Sequence, residues 1–313
     1  MFYLRPLNEL RLADHNWAGD KAVRLGELLA AKFDVPTGFC IGSNGYRDAI
    51  AEPLNEKIVA RLAQTEIEDP VDLEAATDDI RAWIENAPLP EILAREVASV
   101  LDNAPITVRA SRVIEDVPNP AASGVPQAFL GIVGTQNVLN HVRAIWSAPW
   151  NSRAIYFRHH KNIPPQQVTM AVILQPILNP TAAGVMFTTN PLTGTGNEIH
   201  IDATLGLGAA IIAARWKPDR FVVQRDGTIS KREITTQVVM ESPSPEGGIQ
   251  AQAVPAEKQD APALSDDQVH TLAQLGQKIH TQFNAPQDIE WCCVGDQFFV
   301  LQTRPLKSKQ GNK

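Results

Sequence analysis

The sequence predicts an α+β chain on three observations. Helix-forming patterns occupy much of residues 20–102. From about residue 106 they give way to short apolar runs punctuated by glycine and proline, the texture of strands and turns. The chain then closes on one capped helix and an alternating hairpin. With 313 residues, 44% hydrophobic and 20% charged, there is enough material for one large domain or two lobes.

The elements follow in order. Ala22, Leu25, Leu28, Leu29 and Phe33 share the spacing of one helix face, predicting a helix over 20–33 that Val35-Pro36-Thr37-Gly38 ends. Charged, alanine-rich helices at about 53–65, 70–86 and 90–102 read as scaffold. Ile106-Thr107-Val108 is a short strand, and 115–135, dense in proline and glycine, reads as loop. Met170 to Leu174 suits a buried strand; Gly184–Thr188 and Ile199–Ile201 are further strands. Arg220–Arg225 and Thr228–Ile234 form a hairpin across Asp226-Gly227, a pair suited to a tight primed turn. Residues 241–263 read as a mobile loop from their Pro, Gly, Ser, Gln and Ala content. Ser265 with Gln268 makes a capping box, opening a helix with Val269, Leu272, Leu275, Ile279 and Phe283 inward. The last hairpin spans about 287–304, and 306–313 is a polar tail.

Several classes are excluded. The net charge of −7 gives no basic excess for a nucleic-acid backbone. Cys40, Cys292 and Cys293 make neither a disulfide framework nor metal spacing, which fits a cytoplasmic chain. Met1–Leu10 is no signal peptide, and no window of about 18 apolar residues predicts a membrane span. There is no Walker-type phosphate loop and no Gly-x-Ser-x-Gly elbow, and Gly206-Leu-Gly208 lacks the third glycine of a dinucleotide fingerprint. His159-His160 reads as surface, and His200 as a core strand residue.

Four stretches carry chemistry. In the last hairpin, a three-residue Gly295-Asp296-Gln297 loop sets Glu290 opposite Gln302 and Asp288 opposite Arg304. Alternation puts those four on one face and Ile289, Trp291, Phe299 and Leu301 on the other. Such a face is either a divalent-metal and phosphate site or a solvated surface with a salt bridge. Val108-Arg-Ala-Ser111, followed by Glu115-Asp116 and a loop around Gly124, offers Arg109 and backbone N–H groups to a polyphosphate, or is simply surface. Lys21 lies in the first turn of its helix, where the dipole disfavours a cation, so a nearby anion would explain it; a solvated lysine is the other reading. Met170–Ile177 is either a core strand with a polar end or a strand that shows a purine edge the Gln175 amide and the backbone out to Ile177.

In order, these segments resemble the ATP-binding domain shared by phosphoenolpyruvate synthase, pyruvate phosphate dikinase and rifampicin phosphotransferase. The landmarks are Asp20-Lys-Ala…Leu-Gly-Glu-Leu28, Val35-Pro-Thr-Gly-Phe-Cys-Ile41, Val108-Arg…Glu-Asp116, Met170-Ala-Val-Ile-Leu-Gln175, Ala183-Gly-Val-Met-Phe-Thr…Asn-Pro-Leu-Thr-Gly194, Gly206-Leu-Gly208 and Pro286-Gln-Asp-Ile-Glu-Trp291…Leu-Gln-Thr-Arg-Pro305. The likeness covers nearly the whole chain. It implies an ATP-grasp fold of two lobes, 1–195 with added helices and 196–305 with the metal hairpin, followed by the 306–313 tail. It implies ATP and Mg²⁺ as cofactors. Lys21, Arg109 and the Gly124 loop would meet the phosphates, and Gln175 and Ile177 the adenine. Glu290 and Gln302 would hold Mg²⁺, and Arg304 would steady the transferring phosphoryl group.

Departures from the family pattern are specific. Asp20 precedes Lys21 in place of glycine, and Ala110 replaces the first serine of Val-Arg-Ser-Ser. The phosphate loop, Ala121-Ala-Ser-Gly-Val-Pro-Gln-Ala128, keeps Gly124 but has Val125 and Ala128 where the family has Gln and Thr. Gly-Leu-Gly-Glu ends in Ala209. None of the seven histidines lies in a Thr-Gly-Gly-x-x-Ser-His type phosphoacceptor motif. The resemblance therefore implies an ATP-dependent phosphotransferase with a separate histidine-bearing phosphocarrier protein as partner and a small-molecule acceptor reached through it; the alternatives are a degenerate or regulatory ATP-binding module, or a self-sufficient small-molecule kinase.

Overall fold

A computed structural model describes residues 2–113, 128–194, 196–209 and 216–306. Gly19 decides where the first long helix begins. Within α1 (His15–Ala30) it alone is non-helical, at φ 74° and ψ 165°, backbone open in practice only to glycine. A Cβ at this position would lie 2.5 Å from the Arg112 carbonyl oxygen and 2.6 Å from that of Ser111. Regular helix therefore starts at Asp20, as the spacing predicts. It ends at Ala30 rather than 33, and Lys32 at φ 66° turns the chain.

The chain divides into two compact units, Met1–Val23 with Thr37–Ile177, and Arg24–Pro36 with Leu178–Lys313. The division falls at 177/178 rather than at the expected 195, because the strand at 182–187 is hydrogen-bonded into the sheet of the second unit.

The first unit holds five antiparallel strands in the order β1 (Leu4–Pro6), β2 (Phe39–Ile41), β5 (Met170–Pro176), β3 (Ile106–Arg112) and β4 (Ala128–Ile132). Ile106, Val108 and Ala110 of β3 and Met170, Val172 and Leu174 of β5 face the core built with the helices. Those helices are α2 (Ser43–Ala49), α3 (Leu54–Ala63), α4 (Pro70–Glu85), α5 (Glu91–Val100), α6 (Thr135–Ser147) and α7 (Ser152–His160). The three predicted scaffold helices are α3, α4 and α5; α2, α6 and α7 are additional. The strand β4 corrects the loop expected over 115–135. Its Gly131, at φ 71°, sits in a bulge opposite Thr107, so a glycine that reads as loop punctuation is a bulge residue.

The second unit holds a six-stranded antiparallel sheet, ordered β13 (Gln297–Pro305), β12 (Gln287–Val294), β6 (Ala182–Phe187), β7 (Glu198–Leu205), β8 (Asp219–Gln224) and β9 (Ile229–Glu233). One face packs on α8 (Asp266–Phe283). Ser265 and Gln268 form the predicted capping box, and Asn284 in the left-handed region ends the helix. Its buried residues include Val269, Leu272 and Ile279 as expected; Leu275 and Phe283 are half-buried. Residues 241–263 are not one loop: β10 (Val239–Pro243) and β11 (Ile249–Ala253) pair in a small sheet of their own. At the β8–β9 turn the positive φ belongs to Gly227 alone (94°), and its N–H donates to the Gln224 carbonyl. That is a type I turn with a glycine bulge rather than a two-residue primed turn. No helix among the described residues is long and apolar enough to cross a membrane.

Candidate functional site

The last hairpin reaches the predicted pairing by a different route. Its turn has two residues, Gly295 and Asp296, so Val294 pairs with Gln297 and not with residue 298. Gly295 at φ 63° holds the first central position, as a type II′ turn requires. Uncorrected, that turn would set every later pair off by one residue. A bulge at Leu301 absorbs the extra residue, and Glu290 then faces Gln302, and Asp288 faces Arg304. The bulge also changes the apolar face. Ile289 and Trp291 are buried as expected, but Phe298 and Val300 join them, while Phe299 and Leu301 are half-buried.

Asp288 and Arg304 form a tight pair. The guanidinium Nε and Nη2 both donate to Asp288 Oδ2, at 2.7 and 2.6 Å. The carboxylate side chain is 10% exposed and the arginine 59%, so the cation keeps an open side. Burial pushes the Asp288 carboxyl above the usual carboxylate range; Arg304 offsets part of this, and Glu290 adds slightly to it. Gln302 is buried and Glu290 half-buried.

Sheet register extends this face. Glu290 lies beside Val185, and Val185 beside Asp202, so Gln302, Glu290 and Asp202 share one cross-strand row. Arg304, Asp288, Phe187 and His200 share the next. Burial raises the Asp202 carboxyl too, partly offset by the Arg220 guanidinium 3.3 Å away. His200 is half-buried, its Nε2 2.9 Å from Glu198 Oε1, so it is a surface-layer residue and not the core residue expected. His159 and His160 are exposed. Cys292 is buried between strands, and burial pushes its thiol up to about 12. A groove of about 610 Å³ lined by Leu275, Lys278, Asp296 and Phe298 lies at the turn end of the hairpin, away from Arg304.

In the first unit, strand alternation turns Thr107, Arg109 and Ser111 away from the helix-packed core, together with Ala171, Ile173 and Gln175. Arg109 pairs with Ile173 and Thr107 with Gln175, so Arg109 and Gln175 are diagonal neighbours on one face. Ser111 Oγ accepts the Ala22 N–H at 3.1 Å, which docks the start of the regular helix, and half-buried Lys21 with it, at the end of the strand that carries Arg109. Ala128 lies directly beside Arg109 on β4. The backbone N–H of Ile177 donates to the Pro105 carbonyl at 3.2 Å; it is occupied there and is not an open donor for a base. Gly124 lies outside the described residues.

Sequence reasoning missed the groups that support these side chains. Ser111, Thr188, Gln287 and Thr303 are all buried and hydrogen-bonded. No periodicity marks a buried polar residue; the only available signal was adjacency, since Gln287 precedes Asp288 and Thr303 precedes Arg304.

Among the described residues no group of three or more His, Cys, Asp and Glu side chains is arranged to hold a metal by itself. The hairpin offers one carboxylate and one amide oxygen in register. That matches Mg²⁺, which takes one or two protein oxygens and fills its octahedron with phosphates and water.

Known proteins resemble this chain over most of its length. Residues 15–313 match the family described as pyruvate phosphate dikinase, AMP/ATP-binding domain. The chain is 32% identical to rifampicin phosphotransferase of Bacillus subtilis (strain 168) over 96% of its own length and 35% of that protein's. It is 31% identical to a probable phosphoenolpyruvate synthase of Methanocaldococcus jannaschii, over 100% of this chain and 27% of that one. A phosphoenolpyruvate synthase of Pyrococcus furiosus is 27% identical over 97% of the chain and 44% of that protein. The chain thus spans well under half the length of these relatives. On the ordered motifs and this match across most of its length, the chain belongs to the pyruvate phosphate dikinase AMP/ATP-binding domain family.

Proposed function

We propose that this chain is an ATP-grasp component that binds Mg-ATP and transfers a phosphoryl group to a histidine on a separate partner protein, which passes it to a small molecule. The observation that carries the reading is the register of Glu290 with Gln302 beside the Asp288–Arg304 pair. Glu290 and Gln302 would hold Mg²⁺, which when bound neutralises phosphate charge. Arg304, already oriented by Asp288, presents the free side of its guanidinium to the transferring group. Lys21 and Arg109 would contact phosphate oxygens. Gln175 would meet the base through its side chain, because the Ile177 N–H is in use. The tests are direct. Calorimetry should detect ATP binding that strengthens with Mg²⁺. With a histidine-bearing partner domain added, ATP turnover and a phosphohistidine should appear, and Glu290→Ala and Arg304→Ala should each lose turnover. Phosphorylation of a small molecule by this chain alone would count against the proposal.

A second reading, an ATP-binding module without transfer, is favoured by Ala209 at the position of a family acid and by Val125 and Ala128 in the phosphate loop. It predicts Mg-ATP binding but no phosphohistidine with any partner domain.

A further inference from the structure

At the open end of the β12–β13 hairpin lies a buried polar network outside the proposed ligand set. Thr188, just after β6, is fully buried, as is Gln287 at the start of β12. The two residues exchange bonds. Thr188 N–H donates to the Gln287 carbonyl at 3.0 Å, and Gln287 N–H donates to Thr188 Oγ1 at 2.8 Å. The Gln287 side chain is satisfied as well: Thr303 Oγ1 donates to its Oε1 at 2.9 Å, and its Nε2 donates to the Ala285 and Pro286 carbonyls. Gln287 and Thr303 are the immediate chain neighbours of Asp288 and of Gln302 and Arg304.

The remaining partner of Thr188 Oγ1 is His280 Nδ1, 3.0 Å away in the last turn of α8. Of the two contacts of Oγ1, the Gln287 N–H is itself a donor, so Nδ1 is the one that can take the hydroxyl hydrogen within this buried site. That nitrogen is then an acceptor, and the imidazole is neutral with its proton on Nε2. The charged group facing the ring is Arg225, whose guanidinium also donates to the Thr188 carbonyl at 3.3 Å; Thr188 and Gln287 are neutral. Burial first, and Arg225 second, hold the imidazole pKa below its usual 6.5. These outweigh the helix C-terminus, which favours a cation. If Nδ1 gains a proton, two donors face one hydroxyl oxygen. The hydroxyl hydrogen then loses its acceptor inside a fully buried site.

We propose that Thr188 and neutral His280 act as positioning residues, a hydroxyl–imidazole brace that fixes Gln287 and Thr303 and through them the orientation of the Asp288–Arg304 pair toward Mg-ATP. The last part rests on the Mg-ATP reading of the hairpin; the brace itself does not. Its test therefore has two readouts on the 313-residue chain. The first is nitrogen-15 NMR of the imidazoles and of the Arg304 Nε–H. His280 Nδ1 should be unprotonated at pH 8 and titrate below 6.5. Exchange protection of the Arg304 Nε–H should fall on the order of tenfold in Thr188→Val and recover in Thr188→Ser. In the unmodified chain protection should also fall as His280 protonates, and that pH step should vanish in His280→Gln. The second readout is calorimetry with Mg-ATP, where Thr188→Val should weaken binding by on the order of tenfold and Thr188→Ser should restore it. A protonated Nδ1 at pH 8, or the same pH step in His280→Gln, overturns the brace, even if Thr188→Val fails to fold. Unchanged Mg-ATP affinity in Thr188→Val overturns its positioning role. If the NMR results hold and no variant binds Mg-ATP, the brace stands and the reading of the hairpin falls.

Discussion

Asp288 shows how a single side chain can hold a site open at a cost in stability. Its folded pKa is raised above the ordinary 3.8, chiefly by burial. An acid so shifted contributes full stability below its unfolded pKa and loses it as pH rises through the higher folded value. At neutral pH the charged Asp288 therefore works against folding. Asp288→Asn should match the parent in denaturant midpoint near pH 3 and exceed it at pH 7, since the 59% exposed Arg304 gives up little with its partner. The cysteines give a second check at this scale. Cys40, Cys292 and Cys293 are free and buried, with their thiols shifted upward by burial. A thiol reagent at pH 8 should label none quickly in the native chain and all three after denaturation. The polar hairpin residues were legible in sequence because alternation alone sorts Asp288, Glu290, Gln302 and Arg304 from their apolar neighbours. The residues bracing them were not, since burial of Thr188 or Gln287 depends on contacts made across about a hundred residues.

At the scale of elements, local chemistry was readable and compensation was not. The Ser265–Gln268 box opens α8 because both partners lie within one turn. The last hairpin was read with a three-residue loop and no bulge, and the two errors cancel. Deleting Leu301 should test this: Glu290 should remain paired with Gln302, visible as an unchanged cross-strand amide contact by NMR, because the deleted residue is the one the strand register skips between Val300 and Gln302. The small sheet of β10 and β11 escaped because its strand Ile249–Ala253 is exposed throughout, with no buried face to set a pattern. In the first unit, Gly19 and Ser111 join α1 to β3. Gly19→Ala should cost about 3 kcal/mol or more in urea unfolding, from the strained φ and the contact with Arg112. Ser111→Ala, which strands the Ala22 N–H, should cost roughly 1–3 kcal/mol.

For the whole molecule, ligand linkage gives the broadest test. At a hundred times its Kd, Mg-ATP should add about 2.7 kcal/mol to unfolding stability. A thermal shift assay should show the Mg²⁺-dependent part of that gain shrink in Glu290→Gln. The α+β class and the motif order were legible at this scale, whereas the boundary was not. Residues 24–36 belong with the second unit, where Leu25 and Leu28 are buried, Arg24 stacks on Phe283, and the Asp34 carbonyl accepts the Val300 N–H. No hydropathy pattern reports that a segment joins strands formed so much later. The interleaving bears on synthesis. During translation at roughly 5–20 residues per second, residue 34 emerges on the order of 10–50 s before residue 300. For that interval the apolar side of 24–36 has no finished surface to rest on, so a nascent chain stalled short of its last hairpin is a natural client for a chaperone.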